Sequence, residues 1–156
     1  MRNAAIAARM TMLKLLLVAA GAALAGCATA VPDGGYMFPV EAIARANAAA
    51  PSGVPGRFAL RVRASGRQSG MVYLNSEDDY RDQRNLTVAI APPAQRMFAE
   101  LNGPAFEKTF EGKDILVTGV ARRVRIDFIA NGRRTGKYYY QTHVAVTDAD
   151  QIGVAQ

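Results

Sequence analysis

Two long segments of alternating polar and apolar residues, "KDILVTGVARRVRIDFI" and "YYYQTHVAVTD", flank "ANGRRTGK" near the end of the chain. Alternation at period two sends every second side chain to one face and predicts strands. Asn131-Gly132 lies between them, and Asn-Gly favours the tight turn that joins antiparallel strands. The pair is therefore a long hairpin, and whatever fold forms must use it. The apolar phase changes along its first arm. Ile115 and Val117 are odd-numbered, whereas Val124, Ile126 and Phe128 are even-numbered. A bulge near Gly119 accounts for that change and bends the strand.

Upstream, "RFALRVRA" alternates Phe58, Leu60, Val62 and Ala64 with Arg57, Arg61 and Arg63, the pattern of a half-buried strand. "SGRQSG" is a turn cluster, "MVYLN" a second strand and "NLTVAIA" a third, with Leu86, Val88 and Ile90 on one face. "PPAQRMFAELNG" predicts a short helix. Prolines stand at its start, Met97, Phe98 and Leu101 recur at helical spacing, and Gly103 stops it. The order β-β-β-α-β-β follows. "FEGKDILVTGVARRV" resembles the "GK-x-V-x-V-x-G-x-V" fourth strand of OB-fold proteins, and "VTDADQIGV" resembles their closing strand and exit. The resemblance spans residues 57–154. It implies an all-β domain with one short helix, a five-stranded OB-fold-like Greek-key barrel over 57–156. In such a barrel the long bent strand turns the corner. Another small barrel or a β-sandwich is the competing arrangement.

The front of the chain has a different character. Arg2, Arg9 and Lys14 precede the apolar run "LLLVAAGAALA" without one acid, and that run is shorter than the ~20 residues a membrane span needs. "LAGC" at 24–27 resembles the lipobox of bacterial lipoproteins. That resemblance implies a signal peptide over 1–26, a lipid on Cys27, and a cell-envelope protein held to the membrane through it. Ala28, where an Asp would retain the protein at the inner membrane, points to the periplasmic face of the outer membrane. Cys27 is the only cysteine, so no disulfide within the chain competes for it. Residues 27–56, rich in Ala, Pro and Gly, read as a tether carrying at most two turns of helix. The whole chain has 19 basic and 13 acidic residues. Without the three cations of the leader it has 16 against 13, a net +3, short of the charge of a dedicated nucleic-acid binder.

Catalytic chemistry finds no motif. His143 is the one histidine, Ser65, Ser69 and Ser76 lack a partner base in sequence, and no phosphate loop of the Walker type occurs. No catalytic residue, cofactor or metal is expected. "SEDDYRDQR" concentrates Glu77, Asp79, Tyr80, Arg81 and Asp82. It lacks the oxygen-ligand alternation of a calcium loop, and its arginines repel a cation. We read it as a connection locked by internal pairs. The candidate ligand-binding set is basic and aromatic: Arg61, Arg63, Arg67, Arg133, Arg134, Lys137 and Tyr139. Cations interleaved with aromatics suit a polyanion. The expected partners are therefore the membrane through Cys27 and an envelope polyanion or protein, with nucleic acid the less expected polyanion in that compartment. The function this implies is a non-enzymatic binding or structural module. An oligonucleotide or polyanion binder working through the last hairpin is the alternative, and a cryptic hydrolase the third.

Overall fold

One strand is broken once, and the break organises the sheet. The computed structural model describes residues 35–155. Strands β1 (Val54–Arg61) and β2 (Ala64–Gln68) are separated only by Val62 and Arg63. β3 (Met71–Asn75), β4 (Leu86–Ile90), β5 (Asp114–Ala130), β6 (Arg133–Val146) and the short β7 (Ile152–Val154) follow. The sheet runs β1-β5-β6-β4-β3-β2, with β7 added on β5. All neighbours are antiparallel except β4 and β6, which are parallel. No ladder joins β1 to β2, so the sheet is not closed by hydrogen bonds. Its two ends are instead the two halves of one bent strand. This is the expected mostly β, OB-fold-like arrangement, but with seven strands where five were expected and no closed barrel: the first strand breaks in two, so that the turn cluster expected at "SGRQSG" is β2 as far as Gln68, and β7 is added at the exit.

The corner therefore sits in the first strand and not in the fourth. Val62, fully buried, donates to Lys113 O (2.9 Å) and accepts from Gly112 N (2.8 Å). Arg63 N then turns to Asn75 O on β3 (2.9 Å). The bulge expected at Gly119 is absent: Gly119 faces Gly56 in a regular register, and the shift falls between Asp127 and Ile129. Gly119 has a packing reason instead. A Cβ there would lie 2.8 Å from Val144 Cγ1. The change of apolar phase has a different cause too. Ile115, Val117 and Ala121 point into the core, and beyond Ala121 there is no core to face.

The interior is filled by Phe58, Leu60, Val62, Val72, Leu74, Leu86, Val88, Ile90, Val144 and Val146 from the sheet. Phe98, Phe106 and Phe110 close one end, with Phe98 stacked on Phe106 (5.3 Å) and edge-on to Phe110 (5.5 Å). Phe98 belongs to α2 (Pro92–Asn102), whose buried face is Ala94 and Phe98. Met97 and Leu101, expected beside Phe98, are exposed, because a one-turn contact needs only an i, i+4 pair.

The reading of residues 27–56 as a tether is corrected over the described part. α1 (Pro39–Ala48) is packed onto β1, β4, β5 and β6 and buries Ala42 and Ala46 completely. Two alanines one turn apart let the helix backbone approach the sheet closely. Met37, also buried, bridges to Phe58 in parallel and exchanges hydrogen bonds with Arg57 O and Ala59 N. Cys27 and the expected leader lie outside the described residues.

A docked helix predicts a large cost for Ala46→Asp, which sets a charge in a fully buried position. The expected loss in denaturant unfolding is about 2–4 kcal/mol. A solvated spacer would give a change within about 0.5 kcal/mol.

Candidate functional site

The acidic connection between β3 and β4 is held from within. Asp79 accepts from Arg81 N (2.9 Å), Nε (3.0 Å) and Nη2 (3.1 Å). Asp82 repeats the arrangement with Arg84 at 2.8, 3.1 and 2.8 Å. The Arg84 side chain, then its backbone N–H, hold the Asp82 carboxyl down at about 2, and Arg81 lowers Asp79 in the same way. Each carboxylate is thus committed two residues along the chain, and Glu77 reaches Arg63 at 3.9 Å. Among the described residues no group of acids, histidines or cysteines is placed to hold a metal.

Exposed pairs of this kind contribute little to stability. What fixes the loop is Asn85, which the sequence reading missed. Asn85 is 2% exposed, and its Nδ2 donates to Thr87 Oγ1 (2.9 Å), Asn75 Oδ1 (3.1 Å) and Tyr80 O (3.3 Å). Its Oδ1 accepts from Glu77 N (3.1 Å). Ser76 Oγ accepts from Leu86 N (2.8 Å). The loop ends are therefore stitched by buried amides, and Tyr80 is left 53% exposed above them.

The basic candidates do not converge on one groove. Arg61 pairs with Asp114 (3.3 Å) at the bottom of β1. Arg67 is a clamp: its Nε donates to Glu107 Oε1 (2.7 Å) and its Nη2 to Glu107 Oε2 and Pro104 O (2.5 Å each), and it lies 5.4 Å from the Phe106 ring centre. The hydrogen bond from Arg67 is the main reason the buried Glu107 titrates below the usual carboxylate range. Arg133, Arg134 and Lys137 are at the far tip of the β5–β6 hairpin, where Arg134 meets Asp127 at 3.4 Å. Tyr139 packs against Phe128 (5.4 Å), and its hydroxyl accepts from Gln141 Nε2 (2.9 Å).

A different set does converge. Tyr73 on β3, Thr87 on β4, and Gln141 and His143 on β6 line the outer side of the sheet with Arg67, Tyr80 and Ile126. They enclose a cleft of about 270 Å³. A second cleft, about 740 Å³, lies beyond Tyr80 and Arg81, between α1, the loop and the hairpin. Gln141 belongs to both. Its Nε2 donates to Tyr80 O (2.8 Å), and its Oε1 is 2.8 Å from His143 Nε2. The amide oxygen can only accept, which places the proton of the neutral ring on Nε2. Tyr73 meets the His143 ring edge-on at 5.9 Å. These positions were readable as the alternate residues of strands whose partners Val72, Leu74 and Val144 are core.

No protein-family model matches the chain, and the sequence of no curated protein does. Among solved structures it is similar to an aspartyl-tRNA synthetase from Entamoeba histolytica, with a TM-score of 0.42, 14% identity, and coverage of 77% of this chain and 21% of that one. It is similar also to a putative aspartyl-tRNA synthetase from Leishmania major Friedlin, with a TM-score of 0.42, 10% identity, and coverage of 81% and 22%. The chain spans about a fifth of the length of each. Likeness at this level extends to no activity.

Burial holds His143 neutral and pushes its pKa from 6.5 to about 4. The unfolded chain takes up a proton in that window and the folded chain does not. Stability is therefore full above pH 6.5 and falls as pH drops toward about 4. His143→Gln is expected to flatten that part of the stability–pH curve. An unchanged curve in the variant would refute a half-buried ring held neutral by the fold.

Proposed function

We propose that this chain is a lipid-anchored envelope protein whose barrel binds a ligand across its outer sheet face without turning it over. The outer-face cleft carries the reading. Tyr73 and Tyr80 offer ring surface, the Gln141 amide oxygen keeps an acceptor site beyond its bond to His143, and buried amides beneath fix the Tyr80 loop over it. A largely preformed concave site with few polar groups is what a binding module requires. The basic leader, the short apolar run and "LAGC" support the anchor.

Two outcomes test this. Cys27→Ala is expected to move the protein from the membrane to the soluble fraction, and full membrane retention would contradict the anchor. In a thermal-shift series of envelope saccharides and lipid headgroups, a ligand is expected to raise the Tm of the full chain. Tyr73→Ala/Gln141→Ala is expected to abolish that rise while keeping the fold. A rise that persists in the double variant removes the cleft from the account.

A second reading is polyanion binding by the β5–β6 hairpin. Arg133 and Lys137 form no ion pair among the described residues, and Arg123 and Arg125 interleave with Tyr140 and Tyr138. Such binding falls steeply with salt.

A further inference from the structure

Apart from Ile126 and Gln141, which line the outer-face cleft, the distal half of the hairpin serves neither the core nor that cleft. From Arg122 to Ala130 and from Arg133 to Gln141, β5 and β6 pair only with each other. A lone two-stranded ribbon is marginally stable in water. This one nonetheless exposes apolar and aromatic side chains around its turn: Phe128 is 48% exposed, Ile129 59%, Tyr138 49% and Tyr140 45%.

The charge around that tip has one sign. Arg125, Arg133, Arg134 and Lys137 face a single acid, Asp127, while Arg123 lies further down the ribbon and Arg122 at its base donates to Ser52 O. Asp127 is taken by Arg125 (2.8 Å) and Arg134 (3.4 Å). The arginine of each stacked pair covers its tyrosine, Arg123 at 4.4 Å from the Tyr140 ring centre and Arg125 at 4.1 Å from that of Tyr138. A nucleobase needs a free ring face to stack on, and here one face of each tyrosine is occupied from within the ribbon. Ile129, the most exposed of the four apolar residues, offers a base nothing. An apolar tip with a collar of cations and tyrosines matches the water–lipid boundary instead. There aliphatic groups enter the acyl edge, tyrosines sit at headgroup level and cations meet phosphates.

We propose that the β5–β6 tip is a second membrane contact, in which Phe128 and Ile129 enter an anionic lipid surface while Arg133, Arg134 and Lys137 meet its phosphates. The proposal rests on the lipid-anchored reading only for bringing the chain to a bilayer. A second contact on the same chain strengthens attachment by effective concentration, and it sets the domain's orientation on the surface.

The chain contains no tryptophan, so one placed at the tip reports that site alone. The full chain with Ile129→Trp is mixed with vesicles of phosphatidylethanolamine and phosphatidylglycerol. The tip emission is expected to shift to the blue. Adding Arg133→Ala/Arg134→Ala/Lys137→Ala is expected to lower the apparent affinity about a hundredfold, roughly a factor of five per cation. A tryptophan at Leu101, 78% exposed on α2, is expected to show no shift. The proposal is overturned by no shift at position 129 or by an equal shift at position 101. It is overturned equally by a tip that responds to a single-stranded oligonucleotide and not to vesicles. Fractionation of Cys27→Ala reports the anchor separately, so failure of the tip leaves the anchor standing.

Discussion

The bend at Val62 and Arg63 is the constraint on which the rest depends. One strand supplies both ends of the sheet, its first half paired with β5 and its second with β3. Val62 sits at the corner with its side chain in the core and both backbone groups bonded to Gly112 and Lys113. The connection that delivers β5 is thereby pinned to the corner. Two side chains reinforce it: Glu111 accepts from Ser65 Oγ (2.6 Å), and Glu107 takes the fork of Arg67. Arg67, which in sequence looks like a ligand residue, spends its charge on a buried carboxylate. Loss of the arginine would leave Glu107 unpaired in the interior, a costly state.

The same corner creates the arm. β1 consumes the edge of β5 only as far as Ala121, and β4 consumes the edge of β6 only from Thr142 onward. Past these points the hairpin has no third strand and no core. Beyond Arg122 and Gln141, which reach back to Ser52 O and Tyr80 O, arginines stack on tyrosines of the ribbon itself and Asp127 serves two cations. The molecule thus divides physically. A packed barrel carries a preformed outer face, and a thin ribbon carries exposed apolar and cationic groups beyond it. The buried amides of Asn75 and Asn85 join the two by fixing the loop whose Tyr80 carbonyl receives Gln141 of β6.

Period-two alternation and turn chemistry were strong enough to show β1, β3 to β6, the helix between β4 and β5 and the Asn-Gly hairpin, but "SGRQSG" read as a turn because the Gly and Ser that favour turns sit within and just after β2. The corner was misplaced because a glycine in a strand has two readings, a bulge or a close approach. Only the neighbour across the sheet, Val144, decides between them for Gly119. α1 looked like part of a tether because its buried face is alanine, and alanine-rich composition does not separate a spacer from a helix docked at short range. The acidic loop was legible as a set of local Asp–Arg pairs, since i, i+2 partners are written side by side. Asn85 was not, because its partners Asn75 and Thr87 meet it only when β3 and β4 pair. The basic residues formed a class by composition, and topology scattered them to four separate places: Arg61 at Asp114, Arg63 at Glu77, Arg67 at Glu107, and the rest on the hairpin.

Amide hydrogen exchange on the full chain separates barrel from arm, because the two differ in what covers their backbone. β4 and the amides of Val62 and Arg63 are expected to exchange slowest, close to the rate of global unfolding. Residues 122–141 are expected to exchange orders of magnitude faster. Protection of those residues equal to that of β4, or fast exchange at Val62 and Arg63, would contradict a barrel cornered in its first strand with a free-standing hairpin arm.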